Sequence, residues 1–179
     1  MSDREILELA EKCGFAESAL IDTDRIPTDA GFRKYCEENL CGQYDAGYAC
    51  PPHCGSPEQM RQKLLSRSRA AVLKSAWPDV DFSDGAGILK AKKAHNEMEM
   101  RMQSEMERCG HHGFIIGSSR CSLCPECGFS TNTPCPFPEK MYSCVSAYCI
   151  AVGELAGRTG MTYSWNTAEL NLWGLYVFD

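Results

Sequence analysis

The chain has 179 residues, with 18 Lys plus Arg against 24 Asp plus Glu, a formal charge of −6 and no basic stripe. That balance argues against a nucleic-acid binder, whose affinity comes from neutralising phosphates. The length suffices to bury a core without metal or disulfide staples. Twelve cysteines therefore exceed what folding requires and point to chemistry.

The start, Met-Ser-Asp-Arg-Glu, leads into an amphipathic stretch in which Ile6, Leu7, Leu9 and Ala10 share one side of a helix over residues 3–13, ending at Gly14. It is not the apolar core of an export signal, and nothing in the chain approaches the roughly 18 apolar residues of a membrane span. The expected location is the cytoplasm, where thiols persist as metal ligands rather than disulfides. Residues 18–22 are predicted as a strand. A helix is predicted over 29–38, with Phe32 and Tyr35 on one face. An irregular stretch, 40–55, has no periodicity of its own and needs something external to order it. Ser56-Pro57-Glu58-Gln59 supplies an N-cap, a first-turn proline and a capping-box partner for a helix to about Arg67. A buried strand follows over 70–76.

The longest helical pattern runs from Ile88 to Cys109, with Ile88, Ala91, His95, Met98, Met102 and Met106 three or four apart and Gly110 as C-cap. Met98, Met102 and Met106 share a face, which predicts core packing rather than a copper site. Residues 113–117 are predicted as a short strand, 142–156 as a helix ending at Gly157, and 172–178 as the last strand. Strands separated by helices predict an α/β or α+β fold: one domain over 1–179, a central sheet with helices packed on it, and two cysteine-rich loops.

The second of these loops, 121–135, carries Cys121, Cys124 and Cys127 two residues apart, then Cys135 followed by Pro136. A tight loop of this spacing turns three sulfurs towards one centre, and each thiolate of a cubane holds a different iron. Zinc ribbons instead draw one Cys-x-x-Cys knuckle from each of two separated places. The first loop, 36–54, carries Cys36, Cys41, Cys50 and Cys54, at a spacing that matches no standard knuckle. Its case for a metal is physical: ordering an aperiodic loop is costly, and a bound centre offsets that cost.

With both loops in view, the chain resembles the "predicted metal-binding protein" family of bacterial and archaeal anaerobes, a family of unknown function. The resemblance rests on Cys36, on Cys41-Gly42 followed by Tyr44, on Cys50-Pro51-Pro52 with a helix beginning near Ser56, and on Cys121-Ser122-Leu123-Cys124 with Cys127. Cys135, Pro138-Glu139, and Ser143 with Ala147 and Val152 continue it. It implies metal binding, iron–sulfur foremost. Cys54, Cys144 and Cys149 depart from the family's pattern. If Cys54 is not a ligand, Cys144 or a cysteine shared from the second loop would complete the first site. A cysteine before proline, such as Cys135, often ligates the other cluster in ferredoxin-like loops.

The remaining candidates have bland readings. Cys13, Cys109, Cys144 and Cys149 fall on helical patterns and are expected to act as small hydrophobes; Cys144 stands apart because it starts a helix behind the metal loop. His111-His112 is expected at the surface, His53 beside the first loop's thiols, and His95 as a satisfied core residue. Asp84-Gly85-Ala86-Gly87 lacks the signature of a phosphate loop, and no hydrolytic motif appears. The expected protein therefore carries two 4Fe–4S clusters on Cys36, Cys41, Cys50, Cys54 and on Cys121, Cys124, Cys127, Cys135. It relays electrons to a protein redox partner as a non-catalytic carrier or an enzyme accessory, without nucleic acid or membrane. The alternative is a structural or regulatory zinc protein. A third reading is an enzyme using an incompletely ligated iron as Lewis acid.

Overall fold

The computed structural model describes residues 1–78, 80, 83–164 and 169–179. Helix α1 (Asp3–Cys13) begins on a reciprocal capping box, in which the Ser2 hydroxyl accepts from the Glu5 N–H and the Glu5 carboxylate accepts from Ser2 N–H. It stops at Gly14, whose φ of 105° suits glycine. Strand β1 is Glu17–Asp22. The stretch predicted as a helix over 29–38 is shorter and tighter: a 3-10 turn Ala30–Phe32 capped by Asp29, then α2 (Arg33–Glu37). Helix α3 (Pro57–Leu64) has the predicted Ser56–Gln59 capping box. Next come β2 (Arg69–Trp77), α4 (Gly85–Arg108) and β3 (Gly113–Gly117). The Asp84 carboxylate accepts from Ala86 N–H and caps α4, so the Asp84–Gly87 segment is a helix start.

The helix predicted over 142–156 is divided. Ser143–Cys144 forms β4, turns follow to Ile150, and α5 runs from Val152 to Thr159 with its cap at Gly160. Tertiary pairing overrides local propensity here: β4 lies parallel to β3, Val145 N–H donates to Gly117 O, and Ile150 bridges antiparallel to Thr28. Cys149 adopts a left-handed φ of 55°, which ends any helical continuation. Strand β5 (Leu170–Phe178) closes the sheet.

The sheet order is β1-β2-β5-β3-β4, antiparallel except for the β3–β4 pair. Helices and one sheet mixed in this way make an α+β fold, as the sequence predicts. Alternation along the central strands divides two cores. Ala71 and Leu73 of β2 with Tyr176 and Phe178 of β5 face α1 and α4, whose Ile6, Ala10, Met98, Met102 and Met106 cover them. Val72, Leu175 and Val177 face the opposite way, against Met60 and Leu64 of α3, Leu155 and Ala156 of α5, and the 147–150 turn. No described helix is long and apolar enough to cross a membrane.

Candidate metal centre

Both cysteine loops lie at the β3–β4 edge of the sheet. The second loop is the crossover between those two strands: it leaves Gly117, passes through residues 118–142 and returns at Ser143. Its start is tied to α4 by Asn96, which is buried. The Asn96 amide donates to Ser119 Oγ at 3.1 Å and Arg120 O at 3.3 Å and accepts from Ser118 Oγ. Its end is tied by buried Tyr142, whose hydroxyl accepts from Ser122 N–H at 3.0 Å and pairs with Ser122 Oγ at 2.7 Å. A β-carbon at Gly117 would come within 2.8 Å of the Tyr142 ring, so glycine is what admits the tyrosine there.

Between these ties, Cys121, Cys124, Cys127 and Cys135 line one cavity with Ala49, Leu123 and Phe137. The hairpin from Cys127 to Cys135 is closed by Thr133 N–H donating to Gly128 O at 2.8 Å. A β-carbon at Gly128 would stand 2.6 Å from Thr133 O, which forbids any larger residue without opening the turn. The Cys121 thiol is pushed up by burial, and backbone N–H groups of Leu123 and Tyr142 pull it partly back by donating to the sulfur. Such N–H···S donors stabilise a metal-bound thiolate.

The cavity is small, about 30 Å³, room for about one water. The donor set nevertheless suits a thiolate-ligated centre: four free, partly exposed thiols, none tied in a disulfide, on one loop. Among the described residues no three Cys, His, Asp or Glu side chains converge closely enough to hold a single metal ion.

In the first loop, Cys36 and Cys50 are buried and Cys41 is exposed. Burial pushes both the Cys36 and the Cys50 thiols up to about 12, and the neighbouring thiol that raises each of them most is Cys144. Cys144, on β4, is itself raised by burial, while the N–H groups of Ala147 and Ser146 donate to its sulfur. Cys41 is its nearest electrostatic neighbour among the thiols. Cys144 thus lies within the electrostatic reach of the first loop's thiols, Cys54 included.

Cys54 stands within the field of Cys50 and Cys144 too, and has a cation beside it as well. Arg33 Nη1 lies 3.9 Å from its sulfur, and Arg33 Nη2 donates to Ala147 O at 2.9 Å. Burial raises the Cys54 thiol and the guanidinium draws it back down. Burial also works against the Arg33 cation, but the sulfurs of Cys149 and Cys54 outweigh it. Cys149, buried in the turn after Cys144, belongs to this arginine rather than to a helix face.

The two loops pack on each other. Tyr48 Oη donates to Thr133 O at 2.9 Å and its ring meets Phe129 edge-on at 5.2 Å. His53 lies 4.6 Å from the same Phe129 ring and pairs with Asp45 Oδ1 at 2.6 Å. A β-carbon at Gly47 would touch Cys127 Sγ at 3.9 Å. Tyr48, Ala49 and Phe129 join the loops, and sequence reasoning missed them; the aromatics within two Gly-containing, otherwise aperiodic stretches are the signal that could have found them.

Elsewhere, Cys13 is buried against α4 as a small hydrophobe, whereas Cys109 is exposed at the end of α4. His111 ties the chain ends, with Nε2 at 2.9 Å from the Met1 amino group and Nδ1 at 3.2 Å from Asp179 O. His95 corrects an expectation. It is wholly buried, and its Nδ1 meets Ser75 Oγ at 2.7 Å, but Nε2 has no hydrogen-bond partner among the described residues.

No curated protein and no solved structure matches this chain. The family comparison agrees with a cysteine set gathered at one sheet edge: a model described as predicted metal-binding protein (DUF2284) matches residues 19–177, and the chain belongs to that family.

Proposed function

We propose that this metal-binding protein is an iron–sulfur electron carrier holding two 4Fe–4S clusters at the β3–β4 edge. Cys121, Cys124, Cys127 and Cys135 would hold one cluster; Cys36, Cys41, Cys50 and Cys144 would hold the other. The observation that carries the reading is the lining of a single cavity by all four thiols of the 121–135 loop. Four thiols on one loop are the donor set of a cubane, in which each binds a different iron. Tetrahedral zinc needs its sulfurs at about 2.3 Å from one point.

When bound, each cluster supplies a one-electron store whose potential is set by burial and by hydrogen bonds to sulfur. The chain's contribution is legible in its own residues. Backbone N–H groups of Leu123, Tyr142, Ser146 and Ala147 face the Cys121 and Cys144 sulfurs. Asn96 and Tyr142 hold the entrance and exit of the second loop to the sheet. Exposed Cys41 and half-exposed Phe137 bring both sites near the surface, where a protein partner would exchange electrons. A net charge of −6 suits a basic redox partner.

Protein purified without oxygen should be brown, with iron and acid-labile sulfide each near about eight per chain. Stoichiometric zinc with no sulfide would replace this reading by the structural zinc protein.

A further inference from the structure

The two edges of the sheet differ. Strand β4, at the edge that carries the cysteine loops, is two residues long. Strand β1, at the other edge, is six residues long, and among the described residues it pairs with β2 alone. Its register says which of its backbone groups stay unpaired. Thr23 N–H donates to Ser68 O, and alternation along an antiparallel ladder then turns Ile21, Ala19 and Glu17 towards β2 as well. Ser18, Leu20 and Asp22 therefore point their N–H and C=O groups outwards. None of these groups has a hydrogen-bond partner among the described residues. Such a row is a template for a further strand.

A groove of about 570 Å³ opens beside this edge, between α1 and the start of β1, with Leu7, Glu11, Phe15 and Ser18 in its walls. Its other charged residues are already engaged: Arg4 pairs with Glu8 at 2.7 Å, and Glu17 with Lys74 at 2.6 Å. Exposed Glu11 has no ion pair among the described residues. At the far end of the strand, Asp22 is exposed too, and its carboxylate caps nothing. Leu20 packs on the α1 side of the sheet and Ala19 and Ile21 on the other, so Ser18 and Asp22 share the α1 side with Leu20. Two uncompensated carboxylates thus bracket the open edge on one face, Glu11 by Ser18 and Asp22 four residues on, about 13 Å along the strand.

That charge selects the occupant. Outward groups must meet outward groups, so a second copy using all three positions would pair about Leu20. Asp22 of each chain would then fall beside Ser18 of the other, next to its Glu11, and like charges would meet at both ends. A strand with cations four residues apart meets the same two carboxylates favourably. We propose that the β1 edge is a strand-addition site for an extended segment of a partner protein, one that carries Lys or Arg at two positions four residues apart. The segment pairs with Ser18, Leu20 and Asp22 and sets its cations on Glu11 and Asp22. Four inter-strand spacings, about 19 Å, separate this edge from β4, so the site does not depend on what the cysteine loops bind.

The probe is the peptide acetyl-Thr-Lys-Thr-Val-Thr-Lys-Thr-amide, compared with the same peptide bearing Glu for both Lys. Amide hydrogen exchange of the full chain, read by NMR, reports on the edge directly. Without peptide, the Ser18, Leu20 and Asp22 amides should exchange fast and those of Ala19 and Ile21 slowly. The Lys peptide at about 1 mM should slow the three outer amides at least about tenfold, and the Glu peptide should leave them unchanged. Glu11→Lys/Asp22→Lys protein should reverse the preference, protecting the outer amides with the Glu peptide and not with the Lys peptide. Loss of folding could not imitate that reversal. Three results overturn the proposal: outer amides that keep their free rates with the Lys peptide, equal protection by both peptides, or outer amides already slow without peptide that speed up on dilution. The last would give the edge to a second copy of the chain.

Discussion

Replacing Cys144 by alanine, and separately Cys54 by alanine, tests how the first site is completed. The structure sets the two apart. Cys144 is the thiol that most strongly raises Cys36 and Cys50, and it receives backbone N–H groups from Ser146 and Ala147. Cys54 leans on the Arg33 guanidinium at 3.9 Å. Both thiols are half-buried against the same apolar cluster. Removing either sulfur therefore removes about one methylene's worth of burial, on the order of 1 kcal/mol. In a chain of this length that lowers the melting temperature of the metal-free protein by about 2–4 °C. The two metal-free variants should accordingly be equally folded, and the difference between them should lie in metal content. After anaerobic reconstitution, Cys144→Ala should fall from about eight irons per chain to about four, while Cys54→Ala stays near about eight. Iron and acid-labile sulfide analysis, with circular dichroism to check the fold, reads both. If Cys54→Ala halves the iron and Cys144→Ala does not, the assignment of Cys144 is wrong and Cys54 is the ligand.

Gly128→Ala should open the Cys127–Cys135 hairpin, because its β-carbon would meet Thr133 O at 2.6 Å; reconstituted iron should drop to about half with the sheet intact by circular dichroism. Metal-free protein should lose stability as pH rises from about 8.5, the ordinary thiol value, towards about 12, the folded value of Cys36 and Cys50. In that window the unfolded thiols ionise first, so the unfolding free energy from denaturant titration should decline at up to about 1.4 kcal/mol per pH unit for each thiol. Cys36→Ala/Cys50→Ala protein should show a flatter decline, and an equal decline would refute the linkage. Gly174→Ala should destabilise by about 1–3 kcal/mol through overlap with Glu99 Oε1 and close approach to Ile116 O at 2.9 Å. Thermal denaturation reads that loss, and a neutral result would show that α4 shifts freely over β5.

Much of the scaffold was legible because its signals are local. Ser2 with Glu5 and Ser56 with Gln59 are capping boxes written in four residues each, and both form. Met98, Met102 and Met106 sit on one helical face and are buried as the spacing predicts. The failures share a cause. The periodicity of residues 142–156 is helical, yet Ser143 and Cys144 are claimed by β3, and Ile150 by Thr28. Both partners are remote in sequence, so no local pattern could announce them. Cys144 is named by the sequence as an alternative donor for the first site, but the strand that carries it reads there as the start of a helix. His95 fitted an apolar stripe, but what it meets at Nε2 is decided by Glu99 one turn away and by the missing side chain of Gly174.

The contact between the loops gives the fold edge its functional meaning. Each loop supplies part of the other's wall. Ala49 of the first loop lines the cavity of the second, and Phe129 of the second receives Tyr48 and His53 of the first. Ordering one loop around its metal therefore lowers the entropy left to lose in ordering the other. Loading of the two sites should consequently be positively coupled. Tyr48→Ala removes the bond to Thr133 O and the edge contact with Phe129 while leaving every cysteine in place. In reconstitution with limiting iron, the unaltered protein should divide into fully loaded and empty molecules, whereas Tyr48→Ala should accumulate half-loaded ones, resolved by native mass spectrometry. Equal proportions of half-loaded molecules in both proteins would show that the loops, though touching, fold around their metals independently.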